Sequence, residues 1–104
     1  MATGILGQAA PAALTDTTVY TVPAATVGVV TIAVANTTTS PIAIRLALAS
    51  LATPVAAEFI EYDTVIAPSG TLERSGIVMN ATEKVVINAT SAGLSVSVYG
   101  YEEV

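Results

Sequence analysis

The sequence predicts an all-β fold: an antiparallel β-sandwich, immunoglobulin-like or jelly-roll, of about seven strands with an extended N-terminal arm. Three observations predict it. The large apolar side chains are mainly β-branched Val and Ile, which suit a pleated sheet better than a helix. Apolar residues alternate with small or polar ones at period two through the longest runs. Turn residues interrupt those runs at a spacing of roughly 8 to 12 residues, with no helical segment between them.

Residues 1–14 are rich in Gly, Ala and Pro around a small apolar island at Ile5 and Leu6. They read as an arm, either disordered or docked on a neighbouring subunit through those two side chains. Residues 15–104 read as the sandwich domain. Thr17–Val22 is its first strand and ends at Pro23. Val27–Ala35 follows, with Val30, Ile32 and Val34 on one face and Val29, Thr31, Ala33 and Ala35 on the other. Asn36–Pro41 (NTTTSP) is a turn, because Asn tolerates a left-handed backbone, Ser and Thr hydroxyls cap local amides, and Pro41 has no N–H for a ladder.

Ile42–Ala49 (IAIRLALA) is the clearest core strand, with Ile42, Ile44, Leu46 and Leu48 facing inward opposite Ala43, Arg45, Ala47 and Ala49. Glu58–Ile66 alternates imperfectly, which suits an edge or a bulge. Pro68–Gly70 is a strong turn. Thr71–Val78, interrupted by Gly76, then Lys84–Ala89 and Leu94–Tyr101 complete the set, with turns at Asn80–Glu83 and Ser91–Gly93.

Composition bounds the function. A chain of 104 residues supports one core. Hydrophobic residues make up 53% and charged ones 11%, which excludes disorder and leaves a surface far poorer in charge than usual. A monomer covered by Thr hydroxyls is one reading. The favoured one is a subunit whose flanks are hidden against copies of itself, since obligate interfaces exclude charge from their centres. Eight acids against Arg45, Arg74 and Lys84 give a net charge of -5, so neither nucleic acid nor an anionic membrane is an expected partner.

The chain has no Cys and no His, which removes disulfides, thiolate metal sites, Ser-His-Asp hydrolysis and cysteine nucleophiles. No enzyme activity and no cofactor are expected. The start of the chain, MATGILGQAAPAAL, lacks the basic residue that opens a secretory signal, and no stretch reaches the length of about 18 apolar residues that a membrane helix needs.

A few residues invite a sharper reading. Glu61 and Asp63 stand two apart on one strand face, roughly 7 Å by strand rise, a spacing that a glycosidase pair would use. With Glu58 they also make a possible calcium cluster. Both readings yield to a charged edge that resists sheet-to-sheet aggregation. Arg45, alone among alanines, fits either an intersubunit pair with a carboxylate or a plain solubilising charge. Tyr99 and Tyr101 share a face of the last strand and fit ordinary interface packing or a carbohydrate platform. The Asn-x-Thr triplets at Asn36, Asn80 and Asn88 match the glycosylation pattern and read as products of Thr-rich turns. The expected interface residues are therefore Ile5, Leu6, Arg45, Tyr99 and Tyr101.

The order of segments VYTVPAAT, VVTIAVANTTTSPIAIRLALAS and EYDTVIAPSGTLERSGIVMNATEKVVINATSAGLSVSVYGYEEV resembles small virion structural proteins of tailed bacteriophages, including those of cyanobacteria. The resemblance covers residues 15 to 103. It implies a capsid decoration (cement) protein made in the host cytoplasm, or else a neck or tail-fibre accessory or a host- or carbohydrate-binding module. It further implies a homo-oligomer, with a trimer as one arrangement, in contact with other virion proteins such as the major capsid protein. No catalytic residue comes with it.

Overall fold

A computed structural model describes residues 2–104. Its strands are β1 (Thr3–Ala9), β2 (Thr17–Thr21), β3 (Val27–Asn36), β4 (Ile42–Ala49), β5 (Phe59–Ile66), β6 (Thr71–Met79), β7 (Lys84–Ala89) and β8 (Leu94–Glu103). Among the described residues there are thus eight strands rather than seven, and no helix is long and apolar enough to cross a membrane.

The pairing follows one pattern. A loop at residues 50–58 turns β4 back onto β5, and behind that tip β3 pairs with β6, β2 with β7, and β1 with β8, all antiparallel. The chain is therefore one long ribbon folded at its middle. Rolling this ribbon brings β3 beside β8 and β4 beside β7. The result is two four-stranded sheets, sheet A in the order β1-β8-β3-β6 and sheet B in the order β2-β7-β4-β5. Eight strands wound this way make a jelly roll. The immunoglobulin-like alternative, which divides seven strands four and three, does not apply.

The core lies between the sheets, where the alternation foresaw it. Val30, Ile32 and Val34 of β3, Ile42, Ile44 and Leu46 of β4, Val85 and Ile87 of β7, and Leu94, Val96 and Val98 of β8 are buried. Each such side chain contributes about 1.5–3 kcal/mol relative to exposure. Alternation fails at Ala47, which is as buried as Leu46 while Leu48 is only partly so. The β4–β5 register shifts on both sides of Leu46.

The predicted arm is largely a strand. Residues 3–9 pair with β8, because β8 would otherwise present an unpaired edge. Leu6 and Ala9 pack against the core, and Ile5 points away, 66% exposed. Gly7 permits this course, since a Cβ there would lie 2.3 Å from the Val19 carbonyl oxygen of β2.

Polar ties join the sheets on both sides. On one side the Tyr20 hydroxyl of β2 donates to Glu102 Oε2 of β8 at 2.5 Å. On the other, Arg74 of β6 meets the Glu61 carboxylate of β5 and donates to the Ile60 carbonyl at 3.3 Å.

The Asn36–Pro41 turn is present, for a different reason than a left-handed Asn. Asn36 ends β3 in strand conformation and is 2% exposed. Its amide donates to the Ser40 and Ile66 carbonyls (2.8 and 3.0 Å) and accepts from the Thr38 N–H and hydroxyl (2.9 and 2.7 Å). One side chain therefore fixes the whole turn.

Candidate functional site

Two sheet faces point outward, and the predicted interface residues other than Leu6 divide between them. On sheet A, Ile5 is paired with Tyr99, and Tyr99 in turn with Thr31. One row along, Thr3 pairs with Tyr101, Tyr101 with Val29, and Val29 with Val78. Directly paired residues share a face, so these rows form one continuous outer surface across four strands. Tyr101 and Val78 on it are 44% and 65% exposed. The Tyr99 hydroxyl donates to Glu73 Oε2 at 3.0 Å, reaching across β3 where Thr31 and Ala33 face outward. That bond holds the Tyr99 phenol above its ordinary pKa.

Ile5, Tyr99 and Tyr101 are thus brought together. Leu6 is turned into the core, because side chains alternate along β1. Val29 and Val78 belong to the same surface and were missed. Alternation along β3 already turns Val29 outward, but its pairing with Val78 depends on the β3–β6 register, which shifts at a bulge beside Gly76.

Arg45 lies on the opposite, outer face of sheet B. In β5, Tyr62 and Asp63 occupy the space facing Arg45 alone, a bulge in which Asp63 adopts φ 54°. The bulge aims the Asp63 carboxylate at Arg45, with Nε–Oδ1 at 2.6 Å and Nη2–Oδ2 at 3.3 Å. The guanidinium also sits 4.1 Å above the Tyr62 ring, which meets Phe59 edge-on at 5.1 Å. Arg45 therefore has its carboxylate within its own chain. The pair holds Asp63 below and Arg45 above their ordinary pKa values.

The same bulge separates Glu61 from Asp63, so the two-residue spacing does not place them side by side. Glu61 accepts from Thr64 and Arg74, which, in that order, hold it below the usual carboxylate range against its partial burial. Glu58 accepts from the Ser50 and Val55 amides and the Ser50 hydroxyl, capping the loop in a short 3-10 turn at Ala56–Glu58. The three acids considered for calcium are each engaged elsewhere. Tyr99 and Tyr101 lie on β8 of sheet A, and Glu61 on β5 of sheet B.

Beside Arg45 a concavity of about 260 Å³ is lined by Leu14, Ala43, Arg45, Asp63, Asn88 and Thr90. Ala43 and Arg45 come from β4, with Asn88 beside Arg45 on β7. Leu14 is held at the rim by a 2.8 Å bond from its N–H to the Ala89 carbonyl. No protein-family model, curated protein or solved structure matches this chain.

Proposed function

We propose that this chain is a structural component of a tailed-bacteriophage virion, a capsid decoration protein that stabilises the head lattice by packing rather than by catalysis. The observation that carries the reading is the outer face of sheet A, where Ile5, Tyr99, Tyr101, Val29 and Val78 line up across four strands. Aromatic and aliphatic side chains free of basic residues suit the centre of a protein interface. The resemblance of residues 15–103 to phage virion proteins supports it independently, and jelly rolls are a recurrent architecture of viral capsids. A chain without His or Cys has little with which to run acid–base or nucleophilic chemistry.

In this reading the chain self-associates or seats on the major capsid protein through sheet A, burying apolar area at subunit junctions. Immunogold labelling of purified particles tests it. Label distributed over the head is expected, and particles lacking the protein should release DNA at lower temperature than intact ones. Label confined to the neck or tail would replace decoration with an accessory role, and absence from particles would end the virion reading.

A further inference from the structure

We propose that the concavity on the outer face of sheet B binds one neutral sugar ring. This site is separate from the packing face on sheet A and does not depend on the virion reading.

Its size comes first. At about 260 Å³ it falls just under the range of roughly 300–1,000 Å³ typical of drug-sized ligands, so it suits a single ring. Its chemistry comes from what each lining side chain has left to offer. Arg45 spends Nε and Nη2 on Asp63, and of the five donors of a guanidinium others remain. The Asp63 oxygens retain acceptor capacity. The Asn88 amide N–H donates to Asp16 at 3.0 Å, which leaves its carbonyl oxygen as an acceptor. Thr90 Oγ accepts from the Ala43 N–H at 3.1 Å, which leaves its hydrogen to donate. Both donor and acceptor capacity therefore remain around one small concavity.

Charge narrows the ligand. Arg45 is neutralised by Asp63, and Asp16 stands behind Asn88, so an anion meets no uncompensated cation. A cation finds the one carboxylate among the lining residues, Asp63, already paired with Arg45. A neutral ligand that both donates and accepts at adjacent atoms fits, and the vicinal hydroxyls of a pyranose do so. Leu14, 74% exposed at the rim, and Ala43 offer apolar contact for the C–H face of such a ring.

The site is also held in place. Tyr62 beneath the guanidinium and the two bonds to Asp63 fix Arg45, and the Ala89 carbonyl fixes Leu14. Little ordering cost would oppose binding.

The test is an NMR amide titration of the full chain with a panel of methyl glycosides of common hexoses and N-acetylhexosamines, with inorganic phosphate as the charged comparison. At least one glycoside should give saturable shifts clustered at residues 14, 43–45, 62–63 and 88–90, and phosphate should give none there. Arg45→Ala and Asn88→Ala should each weaken binding, the first by about tenfold or more, as expected for lost hydrogen bonds to a charged group. Unchanged amide dispersion in the remaining strands shows that these variants fold. No saturable shift up to about 50 mM glycoside, well beyond a millimolar site, overturns the proposal. So do shifts centred on Tyr99 and Tyr101, a response to phosphate at the concavity, or undiminished affinity in folded Arg45→Ala.

Discussion

The Tyr20 hydroxyl donates a 2.5 Å hydrogen bond to Glu102 Oε2, and this bond ties an edge strand of sheet B to the C-terminal end of β8 in sheet A. Burial first, and then the Glu102 carboxylate, keeps the Tyr20 phenol protonated well above the value of 10.0 expected for a free tyrosine. The folded chain therefore holds a proton that the unfolded chain releases once pH passes about 10. Stability should fall as pH rises beyond that point, because the unfolded state then binds fewer protons. Tyr20→Phe should cost about 1–2 kcal/mol at neutral pH and flatten this alkaline fall. Urea unfolding of both proteins between neutrality and high pH measures it.

At the acid end the sign is reversed. Glu58, Glu61 and Asp63 are all held below their ordinary values, so each contributes stability above the carboxylate range that is lost as pH falls through its folded value. Thr64→Val removes the leading cause of the Glu61 shift. It should move the Glu61 titration, followed by carbon-detected NMR, back toward an ordinary carboxylate.

Asn36 fills its buried place with four hydrogen bonds, two donated and two accepted. Asn36→Asp keeps the shape but removes both donors, leaving the Ser40 and Ile66 carbonyls without them. Chemical denaturation should show a loss of about 1–3 kcal/mol. Asn36→Ala should lose a similar amount and loosen the Thr38–Ser40 turn, visible as faster amide exchange there.

Gly7 lets β1 run against β2, and a Cβ at that position would press on the Val19 carbonyl. Gly7→Ala should cost about 1–3 kcal/mol, the range for overpacking. Hydrogen exchange should show the loss concentrated in residues 3–9, with β3 and β4 still protected. Uniform protection would mean that β1 accommodates the methyl group without shifting.

Much of the sandwich was legible because local pattern and tertiary burial agree. Val30, Ile32 and Val34, or Val96 and Val98, alternate with small outward residues, and period two alone places them inside. The first strand was not legible. Its Gly4 and Gly7 look like breakers until β8 supplies a partner and β2 requires a residue without a side chain. The immunoglobulin-like and jelly-roll alternatives could not be separated, since strand order depends on which distant strands pair, and local alternation is the same in both.

The site was partly legible for related reasons. Ile5, Tyr99 and Tyr101 were singled out from their types, and the β1–β8 register brings them onto one face. Arg45 was singled out as well, but not its partner 18 residues on, because the bulge that turns Asp63 toward it breaks the alternation used to assign faces. The concavity beside it draws on four separated segments, and no spacing within the chain announces it.

The proposed function rests most heavily on the outer face of sheet A as the surface that meets a neighbour in the particle. Photo-crosslinking tests it most directly, with a benzophenone amino acid in place of Tyr101 in one preparation of phage and of the exposed Leu51 in another. Position 101 should crosslink efficiently to a second copy or to the major capsid protein in purified particles, and position 51, on the loop at the ribbon's tip, should do so far less. Particles that contain the protein but yield no crosslink from position 101, with efficient crosslinking from position 51, would contradict it.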